Sequence, residues 1–243
     1  MVWLALALSV VPSLLLLWYF VKSDRFPEPM GVVVPTFGLG ILITVPVIAL
    51  AYLTQPAFQA ITNLYQFALV QAFVSAAIPE ELLKLAVLVW FCKRHSAFDE
   101  PMDGVVYGAT VALGFATLEN LLYAAQGGLD AVLVRAVTAV PGHAALGVIM
   151  GTFVALAHFV PRRRAGYMTL AALIPVLLHG LYDLPLMMLN APETAVPALD
   201  EETTLSLALL ALVAMMTEMV YAFLLHRRLR RMQARLAKRA GVK

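Results

Sequence analysis

The sequence holds a single cysteine, Cys92, among 243 residues. One cysteine excludes an internal disulfide and a cysteine-rich metal centre. Charge is scarce: 13% of the residues are Asp, Glu, Lys or Arg, about half the share of an ordinary soluble domain. The formal net charge of +2 excludes a nucleic-acid module, which needs a strongly basic face. Familiar hydrolytic signatures are missing as well. There is no GxSxG elbow, and the serines stand near no histidine by motif. There is no HExxH. Tyr182-Asp183 forms a YD pair, but no GxGD accompanies it. Neither an internal repeat nor a low-complexity linker interrupts the chain.

What fills the sequence is hydrocarbon. Hydrophobic residues make up 62% of it and the mean hydropathy is +0.85. A soluble core of this size cannot hide so many apolar side chains, so a soluble enzyme and a disordered chain are both excluded. A bilayer core about 30 Å thick takes about 20 apolar residues per helix. Seven segments qualify: 1–21, 31–53, 64–92, 104–126, 131–160, 166–189 and 204–225. The fold class expected is an all-α, polytopic transmembrane bundle forming one domain over residues 1–243. The third and fifth segments are long enough to be tilted, broken or partly interfacial.

Charge placement supports the odd count. Lys22 and Arg25 follow the first segment, Lys93 and Arg94 the third, and Arg162, Arg163 and Arg164 the fifth. Arg227, Arg228, Arg230, Arg231, Arg235, Lys238, Arg239 and Lys243 follow the seventh. The other two basic residues, Lys84 and Arg135, fall inside segments. The opposite loops hold only acids: Asp130, Glu193, Asp200, Glu201 and Glu202. The positive-inside rule places the N-terminus outside and the tail in the cytoplasm. Residues 1–20 lack a basic n-region, so they read as a retained first helix rather than a signal peptide. In the basic tail, 226–243, Leu229, Met232 and Leu236 recur at helical spacing, as in a helix lying on anionic lipid. Gly104 with Gly108, and Gly147 with Gly151, form two GxxxG pairs that let helix backbones approach.

Against this apolar background, the ionisable residues inside the segments stand out, each costing roughly 2.5–3.5 kcal/mol at mid-bilayer. They are Glu80, Glu81 and Lys84 in the third segment, and Glu119 beside Asn120 in the fourth. The fifth holds Arg135 and His143, the sixth His179 and Asp183, and the seventh Glu218. At a rise of about 1.5 Å per residue, Glu119, Glu80, His179 and His143 fall about 10, 12, 15 and 18 Å from the outer face. Four segments thus bring carboxylates and imidazoles to one level. Lys84 shares a helix face with Glu80 and Glu81, and His179 shares one with Asp183. Pro79, Pro141, Pro175 and Pro185 stand beside these clusters. Broken helices are tolerated in a membrane where the backbone lines a watery cavity. Arg135 and His158 read as structural or interfacial residues, His95 and His226 as loop and tail residues. Glu218 reads as a structural partner or a proton-linked group.

Acids and imidazoles at one depth suit the activation of water: a carboxylate takes the proton and an imidazole stabilises the oxyanion. The same groups suit a borderline divalent ion such as zinc. Two other readings stay open on these residues: a proton-coupled transporter, and a non-catalytic scaffold that binds helices through its GxxxG faces.

Three ordered motifs go further. Glu80-Glu81-Leu82-Leu83-Lys84 is an EExxK, Phe115-Ala116-Thr117-Leu118-Glu119 an FxxxE, and His179-Gly180-Leu181-Tyr182-Asp183 an HxxxD. With Asp103-Gly104-Val105-Val106-Tyr107-Gly108 and Pro141-Gly142-His143, they cover a motif core of 79–183. This core resembles the PrsW family of bacterial intramembrane proteases, which is distantly similar to the CAAX-prenyl endopeptidases. The resemblance implies a multi-pass protease of the bacterial cytoplasmic membrane. It implies first-site cleavage of a single-span protein, such as an anti-sigma factor, near the extracytoplasmic face. It implies Glu80 as general base and Glu81 as support together with Lys84. His179 and Glu119 would orient water or stabilise the oxyanion, and Asp183 would position its neighbours. Phe115, Asn120 and His143 would be supporting residues. A divalent metal, Zn2+, would take ligands from Glu80, Glu119, His143 and His179.

Overall fold

The computed structural model describes residues 2–192, 195 and 199–240. Glu193 and Lys243, counted in the charge partition above, lie outside the described residues. The helices are α1 (Val2–Ser23), α2 (Met30–Gln59), α3 (Leu64–Leu69), α4 (Ile78–Trp90), α5 (Pro101–Val137), α6 (Ala139–Phe159), α7 (Arg164–Leu189) and α8 (Glu201–Ala240). A π-helical stretch, Val70–Ala77, joins α3 to α4. No strand occurs among the described residues. This is the solution oil dictates, because a helix satisfies its own backbone polar groups. Among the described residues, six helical spans are long and apolar enough to cross a membrane. The third apolar segment of the sequence, 64–92, is not among them; it forms a composite rod of α3, the π stretch and α4, Leu64–Trp90.

At the centre, α5 and α6 run antiparallel as the most buried helices, while α1, α2, α7 and α8 turn most of their residues outward. The two GxxxG motifs explain the closeness of the central pair, because they face each other. A methyl group on Gly151 would overlap the Gly104 carbonyl oxygen, and one on Gly108 would overlap the carbonyl of Gly147. Gly40 of α2 meets Gly114 of α5 in the same manner. With lipid as solvent, such backbone approach supplies the packing that drives helices together. The outward faces carry Trp3, Trp18, Leu42, Leu53, Val213 and Phe223 in exposed positions, as a bilayer requires.

The third and fifth segments are indeed broken, each in its own way. In the third, the helix widens to π geometry just ahead of Pro79, which sits in the first turn of α4. The fifth breaks at Thr138, between α5 and α6, and just ahead of the segment Gly128 adopts φ +72°, so α5 changes course there. The residues after it, through Val137, form a short arm that ends at Thr138, where α6 begins. Only glycine takes such a φ readily.

The tail departs from expectation. α8 continues past the last apolar run without a break to Ala240. Leu229, Gln233 and Ala237 are buried along one face, whereas Met232 is exposed. The i,i+4 repeat of that face is packed on protein rather than laid on lipid; the Leu236 side chain lies outside the described residues. His226 is likewise no free tail residue. It is buried, bonds Ser23 Oγ at 2.9 Å, and meets Phe20 edge-on.

The glycine contacts make a graded prediction. Gly151→Ala forces the central helices apart and should destabilise the protein by about 1–3 kcal/mol, the usual cost of overpacking. Gly38→Ala, where an added carbon meets nothing within 4 Å, should leave stability unchanged or slightly raised. Thermal unfolding of both variants in detergent checks this.

Candidate active site

The site is built around Lys84. Glu80, Glu81 and Lys84 fall in the first two turns of α4, at the i,i+3 and i,i+4 spacings that share a helix face. The Lys84 ammonium lies 2.8 Å from Glu81 Oε1 and 3.2 Å from Glu80 Oε2. It reaches a second helix as well, donating to His143 Nδ1 of α6 at 3.1 Å. The Phe115 ring of α5 lies beneath it, 4.1 Å from ring centre to nitrogen. All three charged side chains are buried. Buried charge is stable only when paired and hydrogen-bonded, and Lys84 spends its three protons on three partners.

His143 passes the network to Glu119. Its Nδ1 accepts from Lys84, so its Nε2 carries the proton donated to Glu119 Oε2 at 2.9 Å. Glu119 also receives Arg135 Nη2 at 2.6 Å, and Arg135 Nε donates to Asn120 Oδ1 at 2.9 Å. The arm that follows Gly128 delivers this guanidinium. Arg135 is therefore a member of the site, not an interfacial bystander, and Asn120 serves it as a positioning partner. The Tyr123 ring covers the guanidinium at 3.8 Å.

On α7, His179 stands between two carboxylates. Its Nδ1 is 2.9 Å from Glu81 Oε1 and its Nε2 is 3.3 Å from Asp183 Oδ2. Both partners are acceptors, so both nitrogens donate only when the ring carries two protons. The next residue is Gly180. A side chain there would collide with the Phe73 ring, so the glycine lets the π stretch lie directly on α7.

A cavity of about 600 Å³ opens onto this network. Glu80, Glu119, His143, His179, Asp183 and Glu218 line it, while Glu81 and Lys84 stand behind the wall. The cavity extends to Gln59, Gln126 and Asn190, at the ends of α2, of the first arm of α5 and of α7. That end of the bundle carries the acidic loops. The structure thus brings Glu80, Glu81, Lys84, Phe115, Glu119, Asn120, His143, His179 and Asp183 into one network and adds Arg135. It also assigns Glu218 a place on the cavity wall. Glu218 is buried, its Oε2 finds no partner, and its Oε1 lies 2.7 Å from where a carbon on Gly142 would stand. Gly142 is the opening that admits it.

The set able to hold an ion differs by one member from the one the resemblance implied. Ligand atoms of Glu80, Glu81, His143 and His179 lie within 4.8 Å of one another. Glu81 stands in this set and Glu119, which pairs with Arg135 and His143, does not.

Comparison with known proteins agrees with this architecture. A family profile described as "PrsW family intramembrane metalloprotease" matches residues 28–226, which contain the whole site. The chain belongs to the PrsW family. It is 39% identical to Protease PrsW of Geobacillus kaustophilus over 176 residues, 72% of this chain and 76% of that one. It is 38% identical to Protease PrsW of Bacillus subtilis over 177 residues, 72% and 79% of the two chains. With Protease PrsW of Clostridioides difficile the figure is 31% over 193 residues, 74% and 78%. No solved structure matches. As a PrsW-family member, this multi-pass membrane protein is a peptidase.

Arg135 yields a prediction that needs no substrate. Removing one partner of a buried ion pair strands the other, at roughly 3–5 kcal/mol. Arg135→Met should approach the lower end of that range, because the pair is partly open to the cavity. Arg135→Lys should recover only part of the loss, since lysine cannot reach Glu119 and Asn120 with one planar fork. Denaturant or thermal unfolding of the two variants beside the parent chain decides it.

Proposed function

We propose that this chain hydrolyses a peptide bond of a single-span membrane protein, at the end of the bundle that carries the acidic loops. The observation that carries this reading is the division of the glutamate pair. Glu80 faces the cavity, and Glu81 and Lys84 hold it from behind. Such a carboxylate takes a proton from water as the water oxygen bonds to the scissile carbonyl carbon. His179, at the cavity wall, places positive charge for the oxyanion. When the C–N bond breaks, the proton on Glu80 passes to the leaving nitrogen, giving a carboxylic acid and an amine. The positive-inside rule assigns the acidic end of the bundle to the extracytoplasmic side. An anti-sigma factor with one membrane span is the substrate class that fits a cut there.

The donor set also fits a divalent metal. Glu80, Glu81, His143 and His179 would hold it, two oxygens and two nitrogens of the kind zinc prefers, with His179 giving up a ring proton to become a ligand. Glu81 Oε2 is sealed from solvent without a partner, as a ligand atom in want of a cation would be. Charge balance points the same way: Glu80, Glu81, Glu119, Asp183 and Glu218 face two permanent cations, Lys84 and Arg135. When bound, a metal lowers the pKa of water and polarises a carbonyl.

The test is cleavage of a single-span substrate, labelled at both ends, in proteoliposomes with the purified protein. Glu80→Gln and His179→Ala should each lower the rate at least about 100-fold, the lower end of the range for loss of an acid–base group. Full activity in both would remove the reading. Stripping with a chelator should abolish cleavage and Zn2+ should restore it, with about one ion per chain by elemental analysis. Undiminished cleavage by metal-free protein would leave Glu80 to activate water unaided.

A further inference from the structure

A second polar cluster sits at the opposite end of the bundle, where the basic loops lie. Asp24 and Glu28 come from the connection between α1 and α2, Glu100 and Asp103 from the start of α5, and Gln233 from the extension of α8. Asp103 Oδ2 accepts from the amides of Asp99 at 2.7 Å and Glu100 at 2.6 Å. Asp24 Oδ1 accepts from the Phe26 amide at 3.0 Å and from Gln233 Nε2 at 2.6 Å. Gln233 also donates to Glu100, and the Tyr107 hydroxyl donates to Glu28. Oxygen atoms of Asp24, Glu100 and Asp103 lie within 4.8 Å of one another.

Two observations say that something is owed to this cluster. Asp24 and Asp103 are 5% and 0% exposed, yet Asp24 Oδ2 and Asp103 Oδ1 have no hydrogen-bond partner. Buried oxygens are left unpaired in proteins only for a reason, and an absent ion is one of them. The second observation concerns charge. Lys22 at the end of α1 and Arg25, Lys93 and Arg94 in the connections lie at this end, but among the described residues no basic side chain pairs with any of the four acids. Arg25 offers only its backbone amide, to Gln233.

We propose that Asp24, Glu100 and Asp103, with Glu28 beside them, bind a hard divalent cation, Mg2+ or Ca2+. The donors are all oxygen, with neither thiolate nor imidazole among them, and that set selects hard cations over zinc. The site is separate from the catalytic cavity. Asp103 and Glu119 are 16 residues apart on one helix, which is about 24 Å of rise. A cation here fastens the α1–α2 connection, the start of α5 and the α8 extension to one another.

The experiment is calorimetric titration of the full chain in detergent with Mg2+ and, separately, with Ca2+. The parent protein and His179→Ala should each take up about one ion per chain. Asp24→Asn and Glu100→Gln should bind it at least 10-fold more weakly. Helix content measured by circular dichroism verifies folding, and the half-exposed Glu100 keeps the test sound where Asp24→Asn fails to fold. Absence of saturable binding of either ion to the parent chain would overturn the proposal. So would equal affinity in the parent and Glu100→Gln, or loss of binding in His179→Ala alone.

Discussion

The ammonium of Lys84 is the point on which the site hangs. In a medium of low dielectric, one buried cation with three proton donors fixes whatever surrounds it, because each partner would be costly to strand. Here the partners are two carboxylates of its own helix and an imidazole of another. From those three the order spreads outward. Glu81 orients His179, and through it Asp183, on α7. His143 orients Glu119, and Glu119 receives the guanidinium of the arm beyond Gly128. Four helices are registered against one nitrogen. Four carboxylates can be kept inside a hydrocarbon layer because they are shared among cations rather than solvated.

The backbone obeys the same economy. A membrane helix leaves regular geometry only where its freed polar groups find protein or water. The departures in this chain gather around the cavity. The π stretch Val70–Ala77 precedes the glutamate pair, and π turns are often found at functional sites. The turn at Gly128 brings Arg135 back to Glu119, 16 residues before it in sequence. Gly142 and Gly180, by having no side chain, admit Glu218 and Phe73. Away from the cavity the rods are unremarkable, and their exposed leucines and tryptophans answer only to lipid.

The bundle and the meeting of Glu80, Glu119, His143 and His179 were legible in the sequence, because helices of known rise carry polar residues to computable depths. Facing GxxxG pairs were legible as packing surfaces for the same reason. Arg135 was not. Its pairing depends on a positive φ at one glycine, and the linear pattern of an apolar run does not register a reversal of direction. The place of Glu81 rather than Glu119 in the ion-holding set escaped for a related cause: depth says which groups share a level, not which of their atoms meet. Asp24, Glu28 and Glu100 look like ordinary loop acids beside ordinary loop bases. Only the fold shows that they turn inward and leave the bases behind. The burial of Leu229 and Gln233 was hidden in the same way, since a basic amphipathic helix presents one pattern whether its apolar stripe meets lipid or protein.

The glycine ladder between α5 and α6 has a mechanical consequence. Where two backbones touch without intervening side chains, there is no soft layer to yield, and the pair moves as one body or not at all. A helical guest arriving sideways from the bilayer therefore cannot part this spine. Room for it must come from the looser staves around it, α2 and α7 with the composite rod between them, which are the walls that bring Glu80 and His179 to the hollow.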